Sequence, residues 1–524
     1  MNDALAAPPP AAVSPAAVSI PEAVQMALSQ FQAGNRAEVE ALCLKIMEVE
    51  PEHPDALHLT GVLAHLAGKQ GIALALIEKA VRLNPAHAQF HYNLGVVYGV
   101  LRRTDAALEA YREAARLEPA HASAWLNLGN GLLEADRLDE AIDAYQRHLE
   151  VKPHDAAATL ALAIGLYSAR RFELAQSHYE RSVALAPADA RTHWEYAHWL
   201  LMTRDFARGW EEYEHRFAAV GSNVWNYPYP FPQWNGEPLA GKTVILHGEQ
   251  GLGDEIMFAS IYLEVMAVAR HVIICCQPHL AALFRSSFPG ATIHEQLRAD
   301  EDAWTRRPVP WLNTTAPIHY QLPFGSLARL RRRSAASFVR HTGYLKADAA
   351  KVAVWAGKLG ALSGKRVGLC WAANPAIQDA VAARRSRKKS LTLQALEPLL
   401  EVEGARFVSL QTWEAARQVT DAAPSIRARV LDVSADLQDF SDTAALMMNL
   451  DLIITVDTSV AHLAGALGRP VWILLPWQAD WRWHDSGAAS QWYPSARLYR
   501  QPGLHDWDAV VTQVKKELRR EVKT

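Results

Sequence analysis

From residue 20 to about 219 the apolar positions recur at helical spacing, and the pattern returns every 34 residues, marked by prolines at 51, 85, 119, 153 and 187. One period carries Leu94-Gly95, Tyr98, Ala107, Tyr111 and Pro119. The next carries Leu128-Gly129, Leu132, Ala141, Tyr145 and Pro153, and the next Leu162-Ala163, Leu166, Ala175, Tyr179 and Pro187. Small residues let paired helices approach, aromatics fill the gap between them, and proline ends the second helix. Five units are clear. The first, from Ile20, is weaker, and a sixth helix pair from Ala190 to Ala219 lacks the terminal proline, as an array end should.

Beyond residue 240 the period changes. Short β-branched runs at Thr243–His247, His271–Cys276 and Ala291–His294 read as strands of one unit. Arg366–Trp371, Arg406–Gln411, Ala428–Asp432, Asp451–Val456 and Val471–Leu475 read as strands of another. Helical stretches such as Asp442–Asn449 and Val460–Leu467 fall between. This alternation implies two parallel sheets flanked by helices and facing a cleft. Between array and sheets, Trp225 to Pro238 holds four prolines, which forbid a helix, and four Trp or Tyr residues, which argue against a solvated linker. It reads as an ordered connector packed against both halves.

Composition narrows the partners. With 524 residues there is room for roughly three domains. A net charge of −3 supplies no field toward nucleic acid or anionic lipid. Cys43, Cys275, Cys276 and Cys370 share no metal-ligand spacing and read as buried thiols in a reducing compartment. Residues 1–19 are an Ala/Pro-rich tail without the basic start of a secretory signal. No uncharged apolar run reaches membrane-spanning length, so a soluble, cytoplasmic protein is expected.

Two turns carry candidate chemistry. The first follows Thr243–His247 and contains Gly248, Gly251 and Gly253, with Asp254 at the start of an apolar helical pattern. Strand, glycine turn and helix place main-chain N–H groups at a sheet edge where ligands bind; Asp254 serves either that site or only the helix cap. The nearby Gly236-Glu-Pro-Leu-Ala-Gly241-Lys242-Thr243 satisfies a P-loop expression but precedes a strand instead of following one, and the three glycines run in the wrong order for a dinucleotide fingerprint. The second turn follows the strand Asp451–Val456: Asp457, Thr458 and Ser459 open the helix Val460–Leu467. Thr458 and Ser459 are good N-cap types, and the amides behind them suit a diphosphate; a capped turn with a packed His462 is the plainer alternative. The basic run Arg384 to Lys389, read as a loop, could fold over a diphosphate, whereas Arg329 to Arg333 reads as a solvated face. The only D-x-D strings, Asp300–Asp302 and Asp506–Asp508, lie outside the predicted mouth, so a metal-bridged diphosphate is not indicated. Asn93 and Asn127, in one register of the array, either hold an extended peptide in its groove or fill the helix surface.

The 34-residue pattern resembles the tetratricopeptide repeat. Gly-Leu-Gly-Asp254 together with Val-Asp457-Thr-Ser-Val-Ala-His462-Leu-Ala-Gly-Ala-Leu-Gly-Arg-Pro470 resembles the bacterial heptosyltransferase-like glycosyltransferases of family 9 type. Arg366 to Pro375, Ser409-Leu-Gln411, Asp439 to Asp442 and Asp480-Trp-Arg-Trp483 fit the subgroup fused behind such repeats. The resemblance implies a GT-B fold, two Rossmann-like domains facing a cleft. It implies Asp254 as general base, Asp457, Thr458 and His462 in the donor-sugar nucleotide site, and Lys389 near the donor phosphates. Gln411 stands where heptosyltransferases often have an acid contacting the nucleoside. The expected division is 20–219 repeat array, 220–240 connector, 241–345 acceptor domain and 346–524 nucleotide-sugar domain. The expected activity is metal-independent transfer from a nucleotide-diphosphate sugar, a co-substrate with no further cofactor, to a protein or glycan acceptor selected by the repeats. A non-catalytic repeat scaffold with a degenerate transferase half is the alternative.

Overall fold

The computed structural model describes residues 18–220, 224–296, 310–313, 317–374 and 380–523; most of the Ala/Pro-rich tail and the string Asp300–Asp302 lie outside that part. The chain divides into two compact units at Pro187.

The first unit is built from five helix pairs: α1 (Ile20–Gln32) with α2 (Arg36–Val49), α3 (Pro54–Leu66) with α4 (Gln70–Leu83), α5 (Ala88–Val100) with α6 (Thr104–Leu117), α7 (Ala122–Glu134) with α8 (Leu138–Val151), and α9 (Ala156–Ser168) with α10 (Phe172–Leu185). Each periodic proline stands two residues past the second helix of its pair, where no further helical N–H is needed. The Leu-Gly positions have a steric cause. A Cβ at Gly95 would lie 2.6 Å from the Tyr111 ring, and one at Gly129 would lie 2.5 Å from Tyr145, so each buried tyrosine rests on bare backbone of the facing helix.

The second unit begins with α11 (Ala190–Met202), α12 (Phe206–Tyr213) and a 3-10 turn, Glu214–Phe217. Four parallel strands follow: β1 (Thr243–His247), β2 (His271–Cys276), β3 (Thr292–Glu295) and β4 (Tyr320–Pro323), in the order β3-β2-β1-β4. A second sheet holds β5 (Lys365–Cys370), β6 (Ala405–Ser409), β7 (Val430–Leu431), β8 (Leu452–Val456), β9 (Val471–Leu475) and β10 (Ala496–Arg500), ordered β7-β6-β5-β8-β9-β10, also parallel. In both sheets the order reverses beside the first strand, which opens a crevice at the strands' C-terminal ends. This is the GT-B architecture, two Rossmann-like domains behind a helical repeat array. The expected strands are present. The edge strands β4 and β10 were not anticipated, and Ala428–Asp432 contracts to Val430–Leu431.

The connector packs on the first sheet. Trp234 N donates to Gln321 O at 2.9 Å, Gln321 N donates back to Pro232 O at 3.0 Å, and Tyr227 and Tyr229 cover Ile245, Ile273 and Cys275. All four cysteines are buried thiols, and burial pushes the Cys275 thiol up to about 12. Among the described residues no helix is long and apolar enough to cross a membrane.

The helices α11 and α12 are joined to the sheets by buried polar contacts. Trp210 is fully buried and its Nε1 donates to Arg332 O at 2.8 Å. Arg216 donates to both Glu249 oxygens at 2.9 and 2.8 Å, to Glu214 at 2.8 Å and to Ser326 Oγ at 2.8 Å. The basic run 329–333 takes part in this seam and is not a solvated face. Arg332 is buried and paired with Glu264, Arg333 meets Glu211 at 2.5 Å, and Arg329 donates to Asn235 at 3.0 Å. Arg332 lies inside the fold and Arg333 pairs at its surface, and together with Arg329 they tie helix pair and connector to the first Rossmann-like domain.

Candidate active site

The two motif-bearing turns meet. Gly251 is the N-cap of α13 (Leu252–Phe258), which leaves the C-terminal end of β1, and Asp254 lies in its first turn. Asp457 follows β8 directly, and after the N-cap Thr458 comes the helix Ser459–Ala466. A Cβ on Gly253 would lie 2.8 Å from His462 Cδ2 and 3.5 Å from Ser459 Cα, so the two helix N-termini touch through that glycine. Only a residue without a side chain permits this approach. The crevices of both sheets therefore open into one mouth.

Asp254 has both carboxylate oxygens engaged. Oδ2 accepts from Gly251 N at 3.0 Å, closing the turn, and Oδ1 forms an ion pair with Arg482 from the opposite domain. Arg482 Nη1 also meets Asp480 at 2.6 Å, and its guanidinium lies over the Trp481 ring, 4.2 Å from the centroid. Burial works against the charge on Arg482, but Asp254 and Asp480 outweigh it and hold the group protonated. Burial likewise opposes ionisation of Asp480, yet Arg482 holds its carboxyl far below the ordinary range. Arg482 was quoted in the sequence only as part of a motif. Its partner lies 228 positions away, and pairing at that separation leaves no periodic trace.

The diphosphate side gathers as follows. Lys389 Nζ lies 3.4 Å from Asp457 Oδ2, which brings the basic run to the end of β8. That run is the helix Ala380–Lys388 and not a loop, with Lys389 in the turn behind it. Thr458 is the N-cap of the Ser459–Ala466 helix, but its side chain makes no capping bond; Oγ1 lies 3.3 Å from Thr455 Oγ1 and 3.8 Å from Cys370 Sγ. The first amides of that helix are therefore not taken by a side-chain cap. His462 is buried, hydrogen-bonded through Nδ1 to Tyr493 OH at 2.8 Å and stacked on Trp483 at 5.1 Å. Burial lowers its pKa to about 4, so it packs as a neutral ring.

Gln411 is bound entirely to its own domain. Oε1 accepts from Trp371 N at 3.1 Å and Ala372 N at 2.9 Å, while Nε2 donates to Ala372 O at 3.1 Å and Thr412 O at 3.2 Å. With its amide satisfied on both sides, Gln411 shapes the loop behind β5. That loop borders a cavity of about 470 Å³ lined by Ala372, Ser390, Glu414, Arg417, Gln418 and Asp421 among others. Trp413 stands next to it with a backbone φ of 63° and 62% of its surface exposed. A bulky residue with positive φ is strained by roughly 1–3 kcal/mol, and such strain gathers at binding sites.

Asn93 and Asn127 lie in the other unit. Asn93 Nδ2 is 2.7 Å from His58 Nε2 and Asn127 Nδ2 donates to Tyr92 OH at 3.3 Å, so each ties its first helix to the first helix of the preceding pair. Asp506, of the second D-x-D string, caps the C-terminal helix by accepting from Ala509 N at 3.1 Å. Among the described residues one His/carboxylate group has ligand-like spacing: His193, Glu212 and His215, within 4.8 Å, on the α11–α12 pair and its turn. The two imidazoles stack 4.0 Å apart at 12°, so their ring planes do not converge on one point.

Comparison with known proteins fits this geometry. Residues 97–156 match the tetratricopeptide repeat and residues 408–474 match glycosyltransferase family 9 (heptosyltransferase), so one chain carries a repeat array fused to a family 9 type GT-B segment. It is 28% identical over 316 residues to protein FlbA of Caulobacter vibrioides, an alignment covering 58% of this chain. The chain spans about half the length of that curated relative, 51%. Similar solved structures include MamA (19% identity, TM-score 0.29, covering 32% of this chain and 91% of that one). A structure described as a functional characterisation of Pseudomonas aeruginosa pilF shows 19% identity and a TM-score of 0.34, over 38% and 89% of the two chains.

Proposed function

We propose that this protein is a glycosyltransferase that moves a sugar from a nucleotide-diphosphate sugar to a protein or glycan acceptor selected by the repeat array. The observation that carries the reading is the contact of Gly253 with Ser459 and His462, which sets a carboxylate from one domain against a helix N-terminus and Lys389 from the other. Transfer needs both. Asp254 takes the proton of the acceptor hydroxyl, whose oxygen forms the new bond to the anomeric carbon. The bond from that carbon to the diphosphate oxygen breaks, and its electron pair leaves with the nucleoside diphosphate. The helix amides and Lys389 stabilise that charge, a role that asks for no metal.

The 470 Å³ cavity behind Gln411 has the size and mixed lining to take the nucleoside. Gln411 acts there by fixing the Trp371–Ala372 backbone. The match to family 9 over residues 408–474 supports the reading, because that span runs from this cavity through the Asp457 turn.

Thermal-shift screening of the full chain with nucleoside diphosphates tests it. A ligand at 100 times its dissociation constant stabilises by about 2.7 kcal/mol. A rise in melting temperature with at least one nucleoside diphosphate, larger than with the matching nucleoside, supports the donor site. No rise with any member of the panel would leave the scaffold alternative standing.

A further inference from the structure

Among the described residues two cations of this mouth are matched to acids: Lys389 to Asp457, and Arg482 to both Asp254 and Asp480. A diphosphate that takes either of these two must draw it away from a carboxylate. The two acids on Arg482 differ in kind. Asp480 belongs to its own loop and is fixed there, accepting from Arg482 Nη1 at 2.6 Å and from Arg482 N at 3.1 Å. Asp254 comes from the opposite domain and shares one oxygen with the guanidinium. Arg482 also keeps an unused donor, since its buried Nε has no hydrogen-bond partner among the described residues.

The place of Arg482 is fixed from behind. Its guanidinium lies on Trp481, whose ring meets Trp210 at 5.4 Å and 85° and Tyr213 at 6.0 Å and 70°. Tyr213 in turn hydrogen-bonds Gln250, in the turn that carries Asp254, at 2.8 Å. The guanidinium is thus held at the junction of the two turns by α12. The immediate neighbour of Arg482 in sequence, Trp483, stacks on His462 of the diphosphate-facing helix.

We propose that Arg482 is shared between base and donor: it pairs with Asp254 until the donor's diphosphate draws it away, freeing the carboxylate when the donor is in place. This rests on the proposed nucleotide-diphosphate-sugar reading of the cleft. In the structure each oxygen of Asp254 is already engaged, one by Gly251 N and the other by Arg482. Once the diphosphate takes the outer face of the guanidinium, Oδ1 is available to the acceptor hydroxyl, while Asp480 keeps Arg482 in place. The base is exposed only with its co-substrate bound, which limits unproductive acceptor binding.

The test is titration calorimetry of the full chain with UDP, GDP, ADP and CDP, the matching nucleosides and inorganic pyrophosphate, for wild type, Asp254→Asn and Arg482→Gln. Asp254→Asn keeps a carbonyl for the Gly251 amide but loses the charge that competes for Arg482. Its affinity for the diphosphate that binds wild type should rise by about 2- to 10-fold, the scale of one partly exposed ion pair. Arg482→Gln should weaken the same diphosphate by about 10- to 100-fold and leave the nucleoside unchanged. Unchanged or weaker diphosphate binding by Asp254→Asn overturns the proposal whether or not Arg482→Gln folds, since a purely structural ion pair has no reason to oppose the ligand. Absence of any diphosphate binding by wild type overturns the reading of the cleft itself, a distinguishable result.

Discussion

Replacing Arg216 tests the seam that makes the α11–α12 pair part of the transferase half. Arg216 is fully buried, and its guanidinium contacts both Glu249 oxygens, Glu214, Ser326 Oγ and Tyr213 O, all at 2.8–3.0 Å. Glu214 is partly open and can hydrate if its partner is lost, but Glu249 is 3% exposed and cannot. Arg216→Met therefore leaves one buried carboxylate without its counter-charge, at a cost of about 3–5 kcal/mol. Replacing both members, Arg216→Met with Glu249→Leu, removes the stranded charge and should recover most of that loss. Burial already pushes the Glu249 carboxyl up against the pull of Arg216. Without Arg216 its folded-state pKa lies above the unfolded value. The penalty is then present at neutral pH and fades as pH falls toward the unfolded value, so the gap to wild type narrows between pH 7.5 and 5. Urea unfolding followed by tryptophan fluorescence at both values measures it. A loss under 1 kcal/mol for the single variant, or a double variant no better than the single, refutes the reasoning.

Lys389→Ala should weaken nucleoside diphosphate binding by about 1.5–3 kcal/mol and leave nucleoside binding unchanged, as read by calorimetry; equal losses for both ligands would return the basic run to a surface role. Gly253→Ala places a methyl 2.8 Å from His462 Cδ2, so the ring or the helix that carries it must shift; turnover should fall while urea stability changes by about 1–3 kcal/mol. His247, His462 and His484 are buried with pKa values lowered to about 4, against 6.5 for the free side chain. Between those values the unfolded chain binds more protons, so stability is lost as pH falls from about 6.5 toward 4, by about 1.4 kcal/mol per pH unit for each histidine. A His247→Gln variant should show a shallower slope, and an identical slope would contradict the assignment.

The repeat array was legible because a 34-residue period repeats the same steric problem: Gly95 and Gly129 bear a tyrosine ring, and a proline closes each pair. Interior strands were legible from their β-branched runs. Two of the edge strands were not: β4 is only Tyr-Gln-Leu-Pro, and β10 is Ala-Arg-Leu-Tyr-Arg, so neither stands out from loop sequence. Asp254, Asp457 and Lys389 were singled out by turn chemistry and a family resemblance, and the structure brings them to one mouth. What local patterns could not show is pairing at long range. Arg482 reaches Asp254 across 228 positions, and Arg216 reaches Glu249 across 33. For the same reason the run 329–333 looked like a solvated face although its partners lie on α12, on the connector and at Glu264.

The central claim is that Asp254 takes the acceptor proton in a cleft whose other wall binds a nucleoside diphosphate. Asp254→Asn measured side by side for binding and turnover tests it most directly. Release of nucleoside diphosphate from a panel of nucleotide sugars, in the presence of a protein acceptor captured on the full chain, gives the rate, and calorimetry gives the affinity. The account predicts diphosphate binding at least as tight as in wild type and turnover lower by about 10² to 10⁴. Turnover within a few-fold of wild type in a variant that still binds would contradict it.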